Sequence, residues 1–185
     1  MNKTIAILGT AAVLLCGCSG HKPSALETAI CERVAEQAGT TPDKVQLGKV
    51  ERVDSSTFRQ EFARRREVFQ FKLDQDTKLY EQYRGARKSN NAAVKFAAMQ
   101  KDIRILASLD SLERTLEGRL DEVAFYDYSF SATGRMPDGS RLEAPGMFIA
   151  ITPDAHVVSM AGDRKSLRKG TGRVIPGYLE IFGTE

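Results

Sequence analysis

Histidine is scarce in this chain, and the shortage narrows the chemistry that the sequence can support. Only two histidines occur among the 185 residues, His21 and His156, and neither has a second ligand at the spacing of a transition-metal site. The low count also disfavours acid–base catalysis by histidine. A Ser-His-Asp triad would have to use His156, and the chain lacks the Gly-x-Ser-x-Gly turn that presents the serine in many hydrolases. The sequence therefore predicts no metal, no cofactor and no catalytic residue.

Cysteine is almost as rare, with three residues in the whole chain. Cys16 and Cys18 belong to an N-terminal apolar segment, which leaves Cys31 without a partner for an internal disulfide. Cys31 falls beside the apolar positions of a short predicted helix, so we interpret it as a small, half-buried side chain. An intermolecular disulfide and a reactive thiol are the alternatives, although no histidine lies nearby in sequence to activate the thiol.

The chain also lacks a strong charge imbalance and an apolar run of transmembrane length. Its 27 lysines and arginines face 24 acidic residues, and a formal net charge of +3 is too weak to indicate a nucleic-acid partner. The apolar run from Ile5 to Leu15 is shorter than the roughly 20 residues that span a bilayer. With Lys3 before it, the run fits the core of an export signal.

The end of this run resembles the lipobox of bacterial lipoproteins. Leu15-Cys16-Gly17-Cys18 places an aliphatic residue three positions before a cysteine and a glycine directly before it. The resemblance implies cleavage before Cys18, acylation of Cys18 and a membrane anchor of more than one acyl chain. Ser19 follows in place of aspartate, which implies the outer membrane, facing the periplasm. The alternative is an ordinary secretory signal that is cut near Gly20.

The lipobox predicts three parts: a signal peptide at 1–17, a tether at 18–24 and a single domain at 25–185. Removing 17 of the 185 residues leaves 168, enough for one domain with a real core. Loss of Lys3 lowers the formal net charge from +3 to about +2. The polar residues of the tether reach roughly 20 Å when extended, so we expect the domain to lie close to the membrane.

Helical periodicity dominates the first part of the domain. Ser24 and Glu27 form the pattern of a capping box, which predicts a helix that ends near Ala38, before Gly39. Two longer helical patterns follow, from 56 to 85 and from 92 to 119, and the polar break between them favours a hairpin. Their apolar residues recur at helical spacing at Phe58, Phe62, Phe69, Leu73, Tyr80, Tyr83, Ile105, Leu109, Leu112 and Leu116.

Strand-like alternation follows the hairpin. The ranges 124–132, 141–152 and 156–161 predict three antiparallel strands joined by turns such as Pro137-Asp138-Gly139, and 44–53 predicts a short earlier strand. The range 162–185 is interpreted as a tail that docks on the domain. We therefore expect an α+β fold in which a helical hairpin and a short N-terminal helix pack on a three- or four-stranded antiparallel sheet.

Two charged features are candidates for function. Asp127 lies between Tyr126 and Tyr128, and the alternation of the strand predicts that it faces solvent with Ser129 and Ser131. The alternative is a carboxylate in a cleft with the two tyrosines, which would favour an enzyme. A basic segment with one acid, Asp163, is interpreted as a solvated loop, with the binding of anionic lipid or an acidic partner as the alternative. Its cations are Arg164, Lys165, Arg168, Lys169 and Arg173.

Two short stretches are similar to signatures of FKBP-type prolyl isomerases, namely 133–139 (Thr-Gly-Arg-Met-Pro-Asp-Gly) and 174–178 (Val-Ile-Pro-Gly-Tyr). The resemblance implies a folding helper. Tyr178 stands where that family has tryptophan, and only seven residues follow it, so the family's pocket is not completed in the usual way and no catalytic residue is carried over. Gly170-Thr171-Gly172 lacks the spacing and the Lys-Ser/Thr ending of a P-loop.

The sequence as a whole favours a membrane-anchored, periplasm-facing lipoprotein that acts as a non-enzymatic interaction or structural module. Its partners would be the membrane, through the lipid on Cys18, and possible envelope proteins, with no nucleic acid. The alternative is a small envelope enzyme or folding helper. The oligomeric state is left open.

Overall fold

A computed structural model describes residues 23–182; the predicted signal peptide and Cys18 lie outside the described residues. Short 3-10 turns at Pro42–Lys44, Glu117–Arg119 and Thr171–Val174 separate some of the longer elements. No helix within 23–182 combines the length and the apolar character needed to cross a bilayer. The elements are α1 (Ala25–Ala38), β1 (Val45–Thr57), α2 (Phe58–Gly85), α3 (Ser89–Thr115), β2 (Val123–Arg135), β3 (Arg141–Ile151), β4 (Val157–Ala161), α4 (Arg164–Lys169) and α5 (Tyr178–Phe182).

The four strands form one antiparallel sheet in the order β1-β2-β3-β4. The helical hairpin of α2 and α3 is inserted between β1 and β2, so the chain leaves the sheet after Thr57 and returns at Val123, which pair with each other. The predicted α+β fold is confirmed, with four strands. β1 is longer than predicted because its polar end stays paired with β2 until Thr57 caps α2 through a capping box with Gln60.

The predicted ends of α1 are confirmed. The Ser24 hydroxyl accepts a hydrogen bond from the backbone N–H of Glu27, and the Glu27 carboxylate accepts from the backbone N–H of Ser24. Gly39 ends the helix in the left-handed conformation, at φ 64°. α1 lies on one face of the sheet, where Ile30, Val34 and Ala35 join an apolar cluster with residues of β1, β2 and β3.

The base of the hairpin covers the opposite face. Phe62, Phe69, Leu109 and Leu116 are all buried there, which confirms the predicted stripe at these positions. The distal part of the hairpin extends away from this cluster, and its tip residues are more exposed. Large apolar side chains with more than two fifths of their surface exposed on the hairpin are Val68, Phe71, Val94, Phe96 and Ile103.

The C-terminal segment packs on the same face as the hairpin. Leu167, Ile175 and Tyr178 are buried in the hairpin-side cluster, so the predicted docked tail is confirmed over the described residues. Leu179 and Ile181 face outwards instead. This segment brings α4 and the turn Thr171–Val174 beside the first turns of α2. Charged side chains of α2 form hydrogen bonds with the segment there.

Candidate functional site

An ion pair between β2 and α4 lies in the interior of the hairpin face. The carboxylate of Asp127 is fully buried and accepts a hydrogen bond from the guanidinium of Arg168 through Oδ2. Its other oxygen, Oδ1, is buried and has no hydrogen-bond partner among the described residues. Burial raises the pKa of Asp127, because the charged form loses its hydration, while the positive charge of Arg168 acts in the opposite direction.

Arg168 connects this pair to the edge of β1. Its Nη1 donates to the hydroxyl of Ser56 over 3.0 Å, and its Nη2 donates to Asp54 Oδ2 over 3.2 Å. Asp54 also accepts from Arg164 over 2.6 Å. The backbone N–H of Ser55 and the two arginines lower the pKa of Asp54, so this more exposed carboxylate stays charged beside the buried one.

A second buried cluster joins α2 to the turn Thr171–Val174. Glu61 and Arg65 lie one helical turn apart, and Arg65 Nε donates to Glu61 Oε1 over 2.8 Å. Thr171 Oγ1 donates to the same oxygen over 2.9 Å. Arg65 also donates to the backbone carbonyls of Arg168 at 2.8 Å and Lys169 at 3.1 Å. A side chain of α2 thus satisfies carbonyls at the end of α4, which have no partner within that helix.

Gly172 gives the guanidinium of Arg65 the room that it occupies. A Cβ atom on Gly172 would lie 2.8 Å from Arg65 Nε and 2.7 Å from Cζ of Tyr178, closer than side chains pack. The ring of Tyr178 lies 5.6 Å from the guanidinium of Arg65, in a cation–π arrangement. The Gly-Thr-Gly stretch that lacks a P-loop pattern therefore has a packing role, with Thr171 and Gly172 both buried.

A groove opens above these clusters, between Arg64, Val68 and Lys72 of α2 and Lys165, Lys169 and Arg173 of the C-terminal segment. We call it the basic groove. It encloses about 740 Å³, seven of its nine lining residues are lysine or arginine, and none of the nine is acidic. The alkyl parts of these side chains and Val68, 41% exposed, give it an apolar floor.

The cations of the basic groove fall into two groups. Arg64, Arg65 and Arg168 turn inwards and pair with Glu61, Asp127 and Asp54. The other four are exposed, and no acidic side chain within residues 23–182 lies at ion-pairing distance from them. This exposed group consists of Lys72, Lys165, Lys169 and Arg173.

The prediction that Asp127 faces solvent is wrong. The alternation along β2 is real, but the face opposite to Tyr128 and Phe130 is covered by α4 and the hairpin, so Asp127 is buried. Tyr126 and Tyr128 lie on the other face, their rings 6.4 Å apart. The three residues therefore do not line one cleft, so the alternative in which Asp127 shares a cleft with the two tyrosines is wrong.

The interpretation of the basic segment as a solvated loop is also wrong. Arg164–Lys169 form a helix whose first turn is capped by Asp163, and Arg168 takes part in the buried ion pair. Of the five cations in this segment, Lys165, Lys169 and Arg173 are exposed and have no ion pair within residues 23–182, and Lys72 of α2 lines the same groove. Cys31 is half-buried as predicted, and burial raises the pKa of its thiol.

Glu61, Arg64 and Arg65 were not predicted as members of a site. A signal for Arg65 exists in the sequence, because its position continues the apolar stripe of Phe58, Phe62 and Phe69 at helical spacing. A charge within such a stripe either faces solvent or is paired inside the protein. The partner, Glu61, lies four residues before it, but the carbonyls that Arg65 also contacts are more than 100 residues away.

The two stretches with isomerase-like sequences occupy different surroundings. Residues 136–139 form the turn between β2 and β3, beside a groove that 174–178 does not line. Tyr178 is buried, and its ring stacks on that of Phe182 at 4.0 Å. When the chain is compared with protein-family models, with curated proteins and with solved structures, no significant match is found.

Proposed function

We propose that this chain is a lipid-anchored lipoprotein of the cell envelope, facing the periplasm, whose folded domain acts as a non-enzymatic interaction module through the basic groove. Anchoring would take place at Cys18, in the arrangement that the lipobox resemblance implies. The outer membrane is the proposed location.

One observation carries the binding role: the groove's inward-turned arginines are paired, while its four exposed cations have no ion pair within residues 23–182. The inward-facing Arg65 and Arg168 are held by Glu61, Asp127 and backbone carbonyls, so they hold the C-terminal segment in place. The four exposed cations share one concave surface without an acidic neighbour in its lining. Such a surface attracts anionic ligands, because each added positive charge raises the local potential.

The three cysteines provide a matched test of the anchor. We would express the full chain with Cys16→Ser, Cys18→Ser or Cys31→Ser, follow incorporation of labelled palmitate and determine the mature N-terminus by mass spectrometry. We expect that only Cys18→Ser abolishes acylation and the lipid-dependent recovery of the protein in the membrane fraction. An unmodified N-terminus that begins after Cys18 would refute it, as would equal acylation of the Cys18→Ser chain.

The interaction role is tested separately by photo-crosslinking in cells. A photoreactive amino acid at position 169, in the basic groove, should give specific adducts with envelope components, whereas the same residue at exposed position 49 on β1 should not. Adducts of equal yield and identity at both positions would contradict a role for the groove.

A further inference from the structure

The basic groove combines exposed cations with the exposed side chain of Val68, and Phe71 lies beside the groove on α2. We infer that it binds the phosphate headgroup of an anionic phospholipid, with Val68 and Phe71 in contact with the adjoining glycerol and first methylenes. This inference rests on the proposed function in one respect: the anchor on Cys18 would hold the groove near a membrane.

The charge of the groove selects an anion. Lys165 and Lys169 on α4, Arg173 on the following turn and Lys72 on α2 are all exposed and line the same concavity. The inward-facing arginines behind them pair with Glu61, Asp127 and Asp54, so the exposed positive charge of the groove is carried by these four side chains. Lysine and arginine are the side chains that bind phosphate oxygens.

The apolar part of the surface distinguishes a lipid from a free anion. Val68 is 41% exposed and Phe71 is 64% exposed, and they lie three residues apart on α2, so they are neighbours on its surface. Lys72 follows directly and lines the groove. Inorganic phosphate would leave both apolar side chains in water, whereas a lipid would cover them. Phenylalanine beside lysine and arginine is typical of surfaces that sit at the boundary between headgroups and acyl chains.

The groove has a volume large enough for a phospholipid headgroup. Its volume of about 740 Å³ is far larger than a phosphate ion needs. It falls within the range of roughly 300–1,000 Å³ that is typical of sites for small organic ligands. A phosphate, the glycerol unit and a few methylenes fit a site of this size, while the rest of the acyl chains would remain in the bilayer.

Native mass spectrometry of the full chain tests this inference directly. The protein is kept in micelles of an uncharged detergent with equal amounts of phosphatidylglycerol and phosphatidylcholine, and bound lipids are counted by mass. We expect one phosphatidylglycerol per chain, preferred over phosphatidylcholine by at least about tenfold, since each cation near a lipid phosphate contributes roughly 1 kcal/mol. The Cys18→Ser chain should bind equally well, which separates this result from the fate of the anchor.

A matched pair of variants locates the lipid. Lys165→Gln, Lys169→Gln and Arg173→Gln together should remove the preference. Lys44→Gln, Arg135→Gln and Arg141→Gln together remove three exposed cations from another groove of similar volume, about 750 Å³, and should retain it. Circular dichroism checks that both variants are folded. If both variants lose the preference for phosphatidylglycerol equally, the lipid is attracted by the overall positive charge of the protein and not by the basic groove, and the inference is overturned.

Two further arms identify the source of the anion. Val68→Ser with Phe71→Ser should weaken lipid binding but leave any binding of inorganic phosphate unchanged. Excess inorganic phosphate should fail to displace the lipid. Displacement by phosphate together with no effect of the serine variants would assign the groove to a free anion, and displacement by an acidic peptide alone would assign it to a protein partner. Either outcome overturns the inference.

Discussion

The two faces of the sheet are built on different principles. Against α1, the buried residues of the cluster around Ile30 and Val34 are apolar. On the hairpin face, the buried residues include Glu61, Arg65 and Asp127. Both faces exclude water, but only the second must satisfy charges in a low-dielectric environment, which requires defined partners at defined distances.

This difference determines what each face can specify. An apolar cluster tolerates changes that conserve volume, because dispersion and hydrophobic burial have little directionality. The charged face aligns α2, β2 and the C-terminal segment through Arg65 and Arg168, whose long-range hydrogen bonds join parts of the chain 41 to 114 residues apart. Those same contacts direct the remaining cations of the segment outwards, into the basic groove.

Removal of Arg168 should have the largest effect. In Arg168→Ala the buried Asp127 loses its hydrogen-bonded partner, so we expect the free energy of unfolding at neutral pH to fall by about 3–5 kcal/mol. Urea unfolding measures it. The comparison is Arg164→Ala, which removes an exposed partner of Asp54 that also lies 3.9 Å from Asp127 without a hydrogen bond to it, and which should cost at most about 1 kcal/mol. If the two variants lose the same stability, the charged face does not depend on its buried pair.

A methyl group on Gly172 should have the next largest effect. In Gly172→Ala the new Cβ atom would meet Arg65 and Tyr178 at less than 3 Å, which we expect to cost about 1–3 kcal/mol through overpacking. Thermal unfolding provides the measurement. Gly118→Ala is a suitable control, because a Cβ atom there meets nothing within 4 Å. If Gly172→Ala leaves the thermal stability unchanged, Arg65 and Tyr178 do not pack tightly against this glycine.

The pH dependence of stability should also distinguish the faces. The raised pKa of Asp127 means that the folded protein keeps this proton to a higher pH than the unfolded chain does. Stability therefore falls as the pH rises through the range that begins near the ordinary value for aspartate, about 4. Asp127→Asn should remove the part of this fall that Asp127 causes and leave the part from Asp102, whose pKa is also raised by burial, while Ile30→Ala on the apolar face should lower stability by the same amount at every pH. Urea unfolding between pH 4 and pH 7 tests both, and parallel curves for wild type and Asp127→Asn would contradict the prediction.

The smallest effect is expected at Cys31, on the α1 face. Its side chain is half-buried, so Cys31→Ala should cost about 1 kcal/mol. A non-reducing gel of the full chain gives a second readout. A dimer that disappears in Cys31→Ala would mean that this cysteine forms an intermolecular disulfide, one of the two alternatives that the sequence analysis left open for it.

Local patterns were sufficient to predict most of the fold. The capping box at Ser24, the left-handed Gly39 and the stripe from Phe62 to Leu116 depend on neighbours within a few turns, and all three are present. The candidate site was predicted only in part. Lys165, Lys169 and Arg173 were recognised as an unbalanced group, whereas Asp127 was assigned to solvent and Arg65 was not singled out.

Short-range patterns were enough to predict the order of the main helices and strands, both ends of α1 and the apolar stripe of the hairpin, because periodicity and capping depend on neighbouring residues. The end of β1 and the helix α4 were not predicted. Which charges are buried and which remain at the surface depends instead on how the helices pack on the sheet. Asp127 was placed inside by the packing of α4 on the sheet, and Lys72 was placed beside Arg173 by the docking of the C-terminal segment on α2. The partner of a charge is selected by distance in space, and residues 41 to 114 positions apart carry no local pattern that relates them.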